Sequence, residues 1–431
     1  MTKRKLIKTI TLTLSLFLLA PFANNVQATE DTKQPTIVAE AGIIMDYDTG
    51  EIIYEKKAND KMYLASTSKL MTAILFAEHN DKNDSILYTQ EAKNQPPYTL
   101  QSEKMAPAGK TLNVGDTMFA DVVMKSLLLY SANDVAYMIS DEVAGNTESF
   151  AKMMNDKATE LGLTNTHFEN PNGLPINNVD VNYSTAYELA IIAKAAYEND
   201  WIRETLLLPD AYVTLPQNTT VKLENRNIEL GKNGNIGGKT GVTNMAGTCF
   251  AGVYERDGKK YLAAVLKDDR NNDSQRFKDI DKMMDYSENA TRKVYKANGD
   301  EVGTAELEYK VFGFFGPKKT ITAPIVLAED VQLYNDYMNN SEAVITVDSK
   351  TTSAWKAASS DQVSLTVEVK QFSTTAKGKI DLSTFSLIKA NILIYLATVI
   401  LLVIIVVLVM LIIRMINNKK RKRSSYRRRR Y

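Results

Sequence analysis

The chain has 431 residues, 44% hydrophobic and 24% charged, which places it among folded chains of two or three domains and excludes a disordered one. Fourteen of its 52 bases and none of its 51 acids lie in 1–28 and 390–431, leaving 38 bases against 51 acids between them; that net of −13 repels a phosphate backbone and argues against nucleic-acid binding. One cysteine excludes an intramolecular disulfide, and with only two histidines beside it the chain offers no zinc-ligand spacing and argues against a Ser-His-Asp triad, so neither a metal nor a cofactor is expected.

In chain order, residues 1–28 read as a secretory signal: Lys3, Arg4, Lys5 and Lys8, an apolar stretch over 12–20, then Val26-Gln27-Ala28 as a small-residue cleavage site. The stretch is shorter than the ~20 residues a spanning helix needs. Runs at 41–47 and 51–54 flank Asp48-Thr49-Gly50 as a hairpin. Helical periodicity follows at 66–78, 120–143, 147–161 and 184–199. Apolar runs at 247–255 and 260–266, joined by Arg256-Asp257-Gly258, give a second hairpin. Strands at both ends with helices between them predict an α/β region, 29–290, in which one sheet assembled from distant segments carries a helical domain. Shorter runs at 306–312, 320–327, 343–347 and 363–370 predict a smaller C-terminal all-β domain over 291–386. Residues 390–413 are 24 residues without a charge, which reach ~36 Å as a helix and suffice to cross a ~30 Å hydrocarbon core. The basic tail 414–431 then marks the cytoplasmic side, placing the body outside the cell on a single C-terminal transmembrane helix.

Three short clusters carry chemistry: Ser66-Thr67-Ser68-Lys69, Ser131-Ala132-Asn133 and Lys239-Thr240-Gly241, expected on a helix start, a loop and a strand. A serine hydroxyl needs a proton acceptor before it becomes a nucleophile, and with histidine scarce, lysine must take that role. Ser66 and Lys69, three residues apart near a helix start, share a face. For Lys69 to act as a base near neutrality its pKa must fall by ~3 units from about 10.4, and a second buried cation, Lys239, supplies part of that bias. Each motif alone is an ordinary cap or turn; in this order, behind a signal sequence, they are specific.

The set resembles that of the serine D-alanyl-D-alanine carboxypeptidases, the low-molecular-mass penicillin-binding proteins. Ala65-Ser66-Thr67-Ser68-Lys69-Leu70-Met71-Thr72 is similar to the family's nucleophile segment, and Ser131-Ala132-Asn133-Asp134 to its second motif. Gly238-Lys239-Thr240-Gly241-Val242-Thr243 is similar to the third, and Leu161 to Phe168 with Asn170-Pro171-Asn172-Gly173-Leu174 resembles the linking segment. The resemblance covers about 40–290 and implies a transpeptidase-like α/β domain with a helical domain. Carried over, it implies Ser66 as nucleophile on the D-Ala-D-Ala carbonyl, Lys69 as its base and Ser131 as a proton relay to the leaving D-alanine. Asn133 would bind the substrate amide, Lys239 and Thr240 its carboxylate, and Gly241 would let the strand approach. The backbone N–H groups of Ser66 and Val242 would form the oxyanion hole. Implied partners are peptidoglycan stem peptides and β-lactams as inhibitors.

Two positions depart from the family pattern: Leu64 stands where a proline usually precedes the Ala-Ser pair, and Val242 where many members have histidine. His79, His167 and Cys249 read as structural, and Arg276 resembles a family arginine. The alternatives are a transpeptidase or β-lactamase on the same site, or a non-catalytic cell-wall scaffold. A class A β-lactamase would need Glu-x-x-Leu-Asn between the second and third motifs, and no glutamate from Glu142 to Glu229 fits it.

Overall fold

The chain past Thr36 folds around a five-stranded antiparallel sheet whose strands come from the two ends of the α/β region. The structure, a computed structural model, describes residues 33–96, 99–101, 112–347, 353–359 and 362–428; the signal sequence expected over 1–28 and the end of the basic tail lie outside them. The elements that position the site are β1 (Ala41–Asp46), β2 (Ile52–Lys56), α1 (Lys69–His79), α2 (Ala120–Lys125), α3 (Asn133–Ala144), α4 (Thr147–Glu160), α5 (Ala186–Glu198) and α6 (Asp200–Leu206). They continue with β3 (Asn235–Thr243), β4 (Gly247–Arg256), β5 (Lys259–Asp268) and α7 (Gln275–Asn289). The sheet order is β2-β1-β5-β4-β3.

Both faces of this sheet are covered, which is why its strands β1, β4 and β5 read as apolar runs. Ala41, Ile43 and Met45 of β1, with Leu262, Ala264 and Leu266 of β5, face the helical core. Their neighbours Ile44, Tyr261, Ala263 and Val265 pack with Phe277, Ile280, Met283 and Met284 of α7, a stripe at helical spacing. α1 is buried from Lys69 to Phe76, so it runs through the core with little polar face.

The helix expected over 120–143 is broken. α2 runs into a wide turn over Ser126–Tyr130, Ser131 takes a left-handed conformation (φ 66°, ψ 34°), and α3 starts afresh at Asn133. The apolar stripe continues across the break, since Leu127, Leu128, Leu129, Ala132 and Val135 are all buried, so periodicity alone does not register it. Also outside the expected elements are α6, a hairpin of Asp210–Leu215 with Thr219–Glu224, and α7.

The β-rich stretch forms its own antiparallel sheet. Its strands are β6 (Glu301–Lys310), β7 (Lys318–Leu327), β8 (Val344–Val347), β9 (Val363–Val369) and β10 (Phe372–Ile380), in the order β6-β7-β10-β9-β8. It differs from an all-β expectation by two short helical pieces, Tyr337–Glu342 and Ala354–Ala357. Arg292 holds the buried Glu51 carboxylate with two bonds of 2.8 and 2.6 Å, and Asn339 Nδ2, in the helix Tyr337–Glu342, donates to Ile52 O at 3.0 Å, so segments flanking the second sheet's strands dock at the start of the edge strand β2. The chain ends in α8 (Thr384–Ala390) and α9 (Ile392–Arg428). Within α9, Ile392–Arg421 has a mean hydropathy of 3.6 in its most apolar window, none of which is buried; this exposed apolar helix suggests membrane anchoring.

Candidate active site

Ser66 lies in a single 3-10 turn, Ala65–Ser68, that leads directly into α1. With three residues per turn, positions i and i+3 eclipse, so the turn stacks Lys69 over Ser66 and leaves Nζ 3.0 Å from Oγ. Lys69 is fully buried. Its other contacts are Asn133 Oδ1 at 2.8 Å and the Asn172 carbonyl at 2.9 Å. Burial pushes its pKa down to about 7, helped by the Arg226 cation and opposed by Asp134. A neutral amine in this position has two hydrogens for the two amide oxygens and a lone pair facing the hydroxyl.

The break before α3 brings the second motif to the same place. Left-handed Ser131 puts its Oγ 2.9 Å from Lys239 Nζ, while Asn133, the first residue of α3, reaches Lys69. Lys239 is buried on β3 and also donates to Thr240 O at 2.9 Å. Burial, then Lys69, Arg226 and Arg276, drive its pKa well below that of a free lysine. Each ammonium disfavours the other, so the pair holds one proton more readily than two. β3 passes close to the Ser66 turn: a Cβ on Gly241 would stand 2.8 Å from Leu64 O and 3.0 Å from Ser66 N. Only glycine permits that approach. Val242 follows at the strand's end with 43% of its surface exposed, and Thr240 is buried.

Several site residues carry no signal as isolated residue types. The linking segment forms a wall: Thr72 Oγ1 donates to Pro171 O at 2.6 Å, and Asn182 Nδ2 ties Ser68 Oγ (3.1 Å) to Asn170 O (2.9 Å). A Cβ on Gly173 would fall 1.8 Å from Ala65 O. Arg226 donates to Tyr130 O at 2.8 Å, and its charge biases both lysines. Burial raises Asp134 to about 7. Arg276 is buried behind the strand, donating to Gly241 O and Cys249 O at 3.2 and 3.3 Å and to Asp273 at 2.6 Å, so it braces β3 from below. Cys249 is a core residue whose thiol burial pushes up to about 12. His79 closes α1 against Leu75 O, and His167 pairs with Glu169.

Residues 28–270, more than half the chain, match the family described as D-alanyl-D-alanine carboxypeptidase. The chain belongs to that family. The carboxypeptidase DacF of Bacillus subtilis is 30% identical over 304 residues, 68% of this chain and 74% of that one. A Streptomyces K15 protein is 33% identical over 275 residues, 60% of this chain and 90% of its own. Among solved structures, penicillin-binding protein D2 of Listeria monocytogenes in its ampicillin-bound form is 30% identical, with a TM-score of 0.50 over 59% of this chain and 99% of that one. A Streptomyces K15 DD-transpeptidase variant gives a TM-score of 0.52 at 28% identity, over 59% of this chain and all of that one.

As a D-alanyl-D-alanine carboxypeptidase, this chain departs from the usual pattern at Leu64 for a visible reason. Leu64 N–H donates to Asn182 O at 3.1 Å, a bond that proline cannot make, and the side chain fills the core. The Ser66 turn is thereby tied to Asn182 from both ends, through Leu64 and Ser68.

Proposed function

We propose that Ser66 is the nucleophile of this serine D-alanyl-D-alanine carboxypeptidase, acting on the D-Ala-D-Ala end of peptidoglycan stem peptides. The observation that carries this reading is the buried Lys69 amine, 3.0 Å from Ser66 Oγ and pushed to about 7. Neutral Lys69 takes the hydroxyl proton as Oγ bonds to the peptide carbonyl carbon. The N–H groups of Ser66 and Val242 hold the oxyanion. Lys239, with Thr240 beside it, holds the terminal carboxylate, and Asn133 fixes the substrate amide. As the C–N bond breaks, Ser131 passes a proton from the lysine pair to the departing D-alanine nitrogen. Water, its proton taken by Lys69, then opens the Ser66 ester and restores the hydroxyl.

The catalytic region 29–290 and the β-rich region 291–386 lie outside the cell in this reading. It is supported by the signal-like 1–28 and by Arg414, Lys419, Lys420 and Arg421 at the far end of the apolar helix. β-Lactams, which bind the Listeria relative, acylate Ser66. Transpeptidation is the second reading, since the Streptomyces K15 relative carries the name carboxypeptidase and its solved structures that of a DD-transpeptidase. Mass spectrometry of a synthetic stem pentapeptide incubated with the detergent-solubilised chain, with and without an acceptor amine, separates these. Loss of one D-alanine with water as acceptor supports the carboxypeptidase, amine incorporation supports transfer, and an unchanged peptide contradicts both.

A further inference from the structure

The loop between β6 and β7 carries apolar groups that catalysis does not use. It reads Val311-Phe312-Gly313-Phe314-Phe315-Gly316-Pro317. Gly313 and Gly316 take positive φ of 82° and 98°, open to glycine at little cost. The turn they make leaves Phe314 82% and Phe315 52% exposed. Phe312 lies partly inward, stacked on Phe315 with ring centres 4.9 Å apart and edge-on to Tyr395 at 5.3 Å. Tyr395 OH donates to Val311 O at 2.5 Å, and Asn391 Nδ2 donates to Tyr309 OH at 2.8 Å. The loop is thus fastened to the first turn of α9.

That attachment says what covers the phenylalanines. The uncharged part of α9, residues 392–413, reaches ~33 Å against a ~30 Å hydrocarbon core. Its surplus of about half a turn leaves Tyr395, and the loop bonded to it, at the membrane–water boundary, where aromatic rings are favoured. Charge agrees: Lys310, Lys318 and Lys319 are exposed at the two strand ends that flank the loop, and no acid occurs from 309 to 328; Glu306 and Glu308 lie further up β6. Exposed Phe385 on α8 adds a ring, and Ile388 lines one groove with Phe312 and Tyr395.

We propose that the 311–317 loop is a lipid-contacting foot. Phe314 and Phe315 enter the headgroup–acyl boundary of an anionic bilayer, while Lys310, Lys318 and Lys319 face its phosphates. The β-rich domain then stands on the membrane at two points, α9 and the foot, which fixes the height and direction of the catalytic cleft. This inference rests on the reading that α9 crosses the membrane.

The test uses the full chain carrying Phe314→Trp, reconstituted in nanodiscs of phosphatidylcholine and phosphatidylglycerol with bromine atoms placed high on the acyl chains. The expected result is a blue-shifted indole emission that loses about half its intensity to the bromolipid, beyond the loss seen in the parent. Charge reversal by Lys310→Glu, Lys318→Glu and Lys319→Glu together should reduce that loss. Phe315→Trp serves as an independent reporter, and penicillin labelling checks that each variant is folded. Water-like, unquenched emission from a chain that resists alkaline carbonate extraction overturns the foot and leaves the span standing. Blue-shifted emission insensitive to bromine places the ring against protein and also overturns it. Extraction by carbonate removes the span, and the foot with it.

Discussion

Lys69 is where sequence spacing and physical environment meet. Spacing of three predicts its contact with Ser66, but the depth of burial and the Arg226 charge that lower its pKa come from segments far away in the chain. Arg226 stands in Asn225-Arg226-Asn227, a polar stretch with no motif, and nothing local announces it. If Lys69 is the base, as proposed, it must be neutral, so penicillin acylation of the parent should rise with pH through about 7 and then level off, measured by stopped-flow. The same shift governs stability. Between about 7 and the ~10.4 of an unfolded lysine, the unfolded chain binds the extra proton, so stability rises with pH across that window and the burial penalty is felt in full below it. Lys69→Met should flatten part of the rise in melting temperature from pH 7 to pH 9; a slope equal to the parent's would contradict the shifted pKa. Ser66→Ala should lower acylation and peptide turnover by at least ~10³-fold, because nucleophile and base act as a unit, while its circular dichroism stays that of the parent. Lys239→Ala should raise KM and lower kcat together if Lys239 anchors the carboxylate and biases the site, as proposed.

At the scale of elements, the site depends on irregularities inside otherwise regular patterns. The strands β1, β4 and β5 and the helices α1, α4 and α5 follow from apolar runs and 3.6-residue periodicity. The break at Ser131 does not, because its left-handed backbone is held by tertiary contacts, among them the Lys239 bond, within a stripe that stays apolar throughout. The α7 stripe, apolar at Phe277, Ile280, Met283 and Met284 between charged residues, and the alternation of buried with exposed residues over the 210–224 hairpin are sequence patterns of an amphipathic helix and of half-buried strands, so these two elements are legible although the expected elements omit them. Gly173 shows what such local features carry. Its φ of 77° and the 1.8 Å approach of a notional Cβ to Ala65 O mean that Gly173→Ala must shift the Ser66 turn. It should destabilise by roughly 1–3 kcal/mol and slow penicillin acylation at least tenfold, with thermal melting and labelling rate as the two readouts. Gly145→Ala, also at positive φ but with open space around it, should lower the melting temperature without slowing acylation.

At the scale of the whole molecule, composition separates the parts more clearly than it reveals how they fit. The apolar helix and the acidic body are visible in the sequence. The docking of the β-rich region at β2 through Glu51, Arg292 and Asn339 joins residues some 240 to 290 positions apart, beyond the reach of local patterns. The proposed topology is checked on intact cells: external protease should remove the body and leave a tag placed after Tyr431 protected, whereas a digested tag would reverse the orientation. Chemistry at this scale is decided by what surrounds the acyl ester. The groups bonded to Lys69 Nζ are a hydroxyl, an amide oxygen and a backbone carbonyl. In the peptide reaction the departing D-alanine leaves room for a water that Lys69 can activate, whereas an opened β-lactam keeps its amine tethered over the ester. Without a carboxylate beside Lys69 to serve a second water, the ~10² to 10⁴-fold help of a general base is lost.

The most direct measurement is therefore a time course of intact mass and peptide mapping after mixing the chain with benzylpenicillin. One penicilloyl adduct, located on Ser66, is expected to persist for minutes or longer and to form faster as pH rises through about 7. An adduct elsewhere, no adduct, or steady hydrolysis at about one turnover per second or faster would contradict the proposed mechanism, the last by putting a β-lactamase in its place.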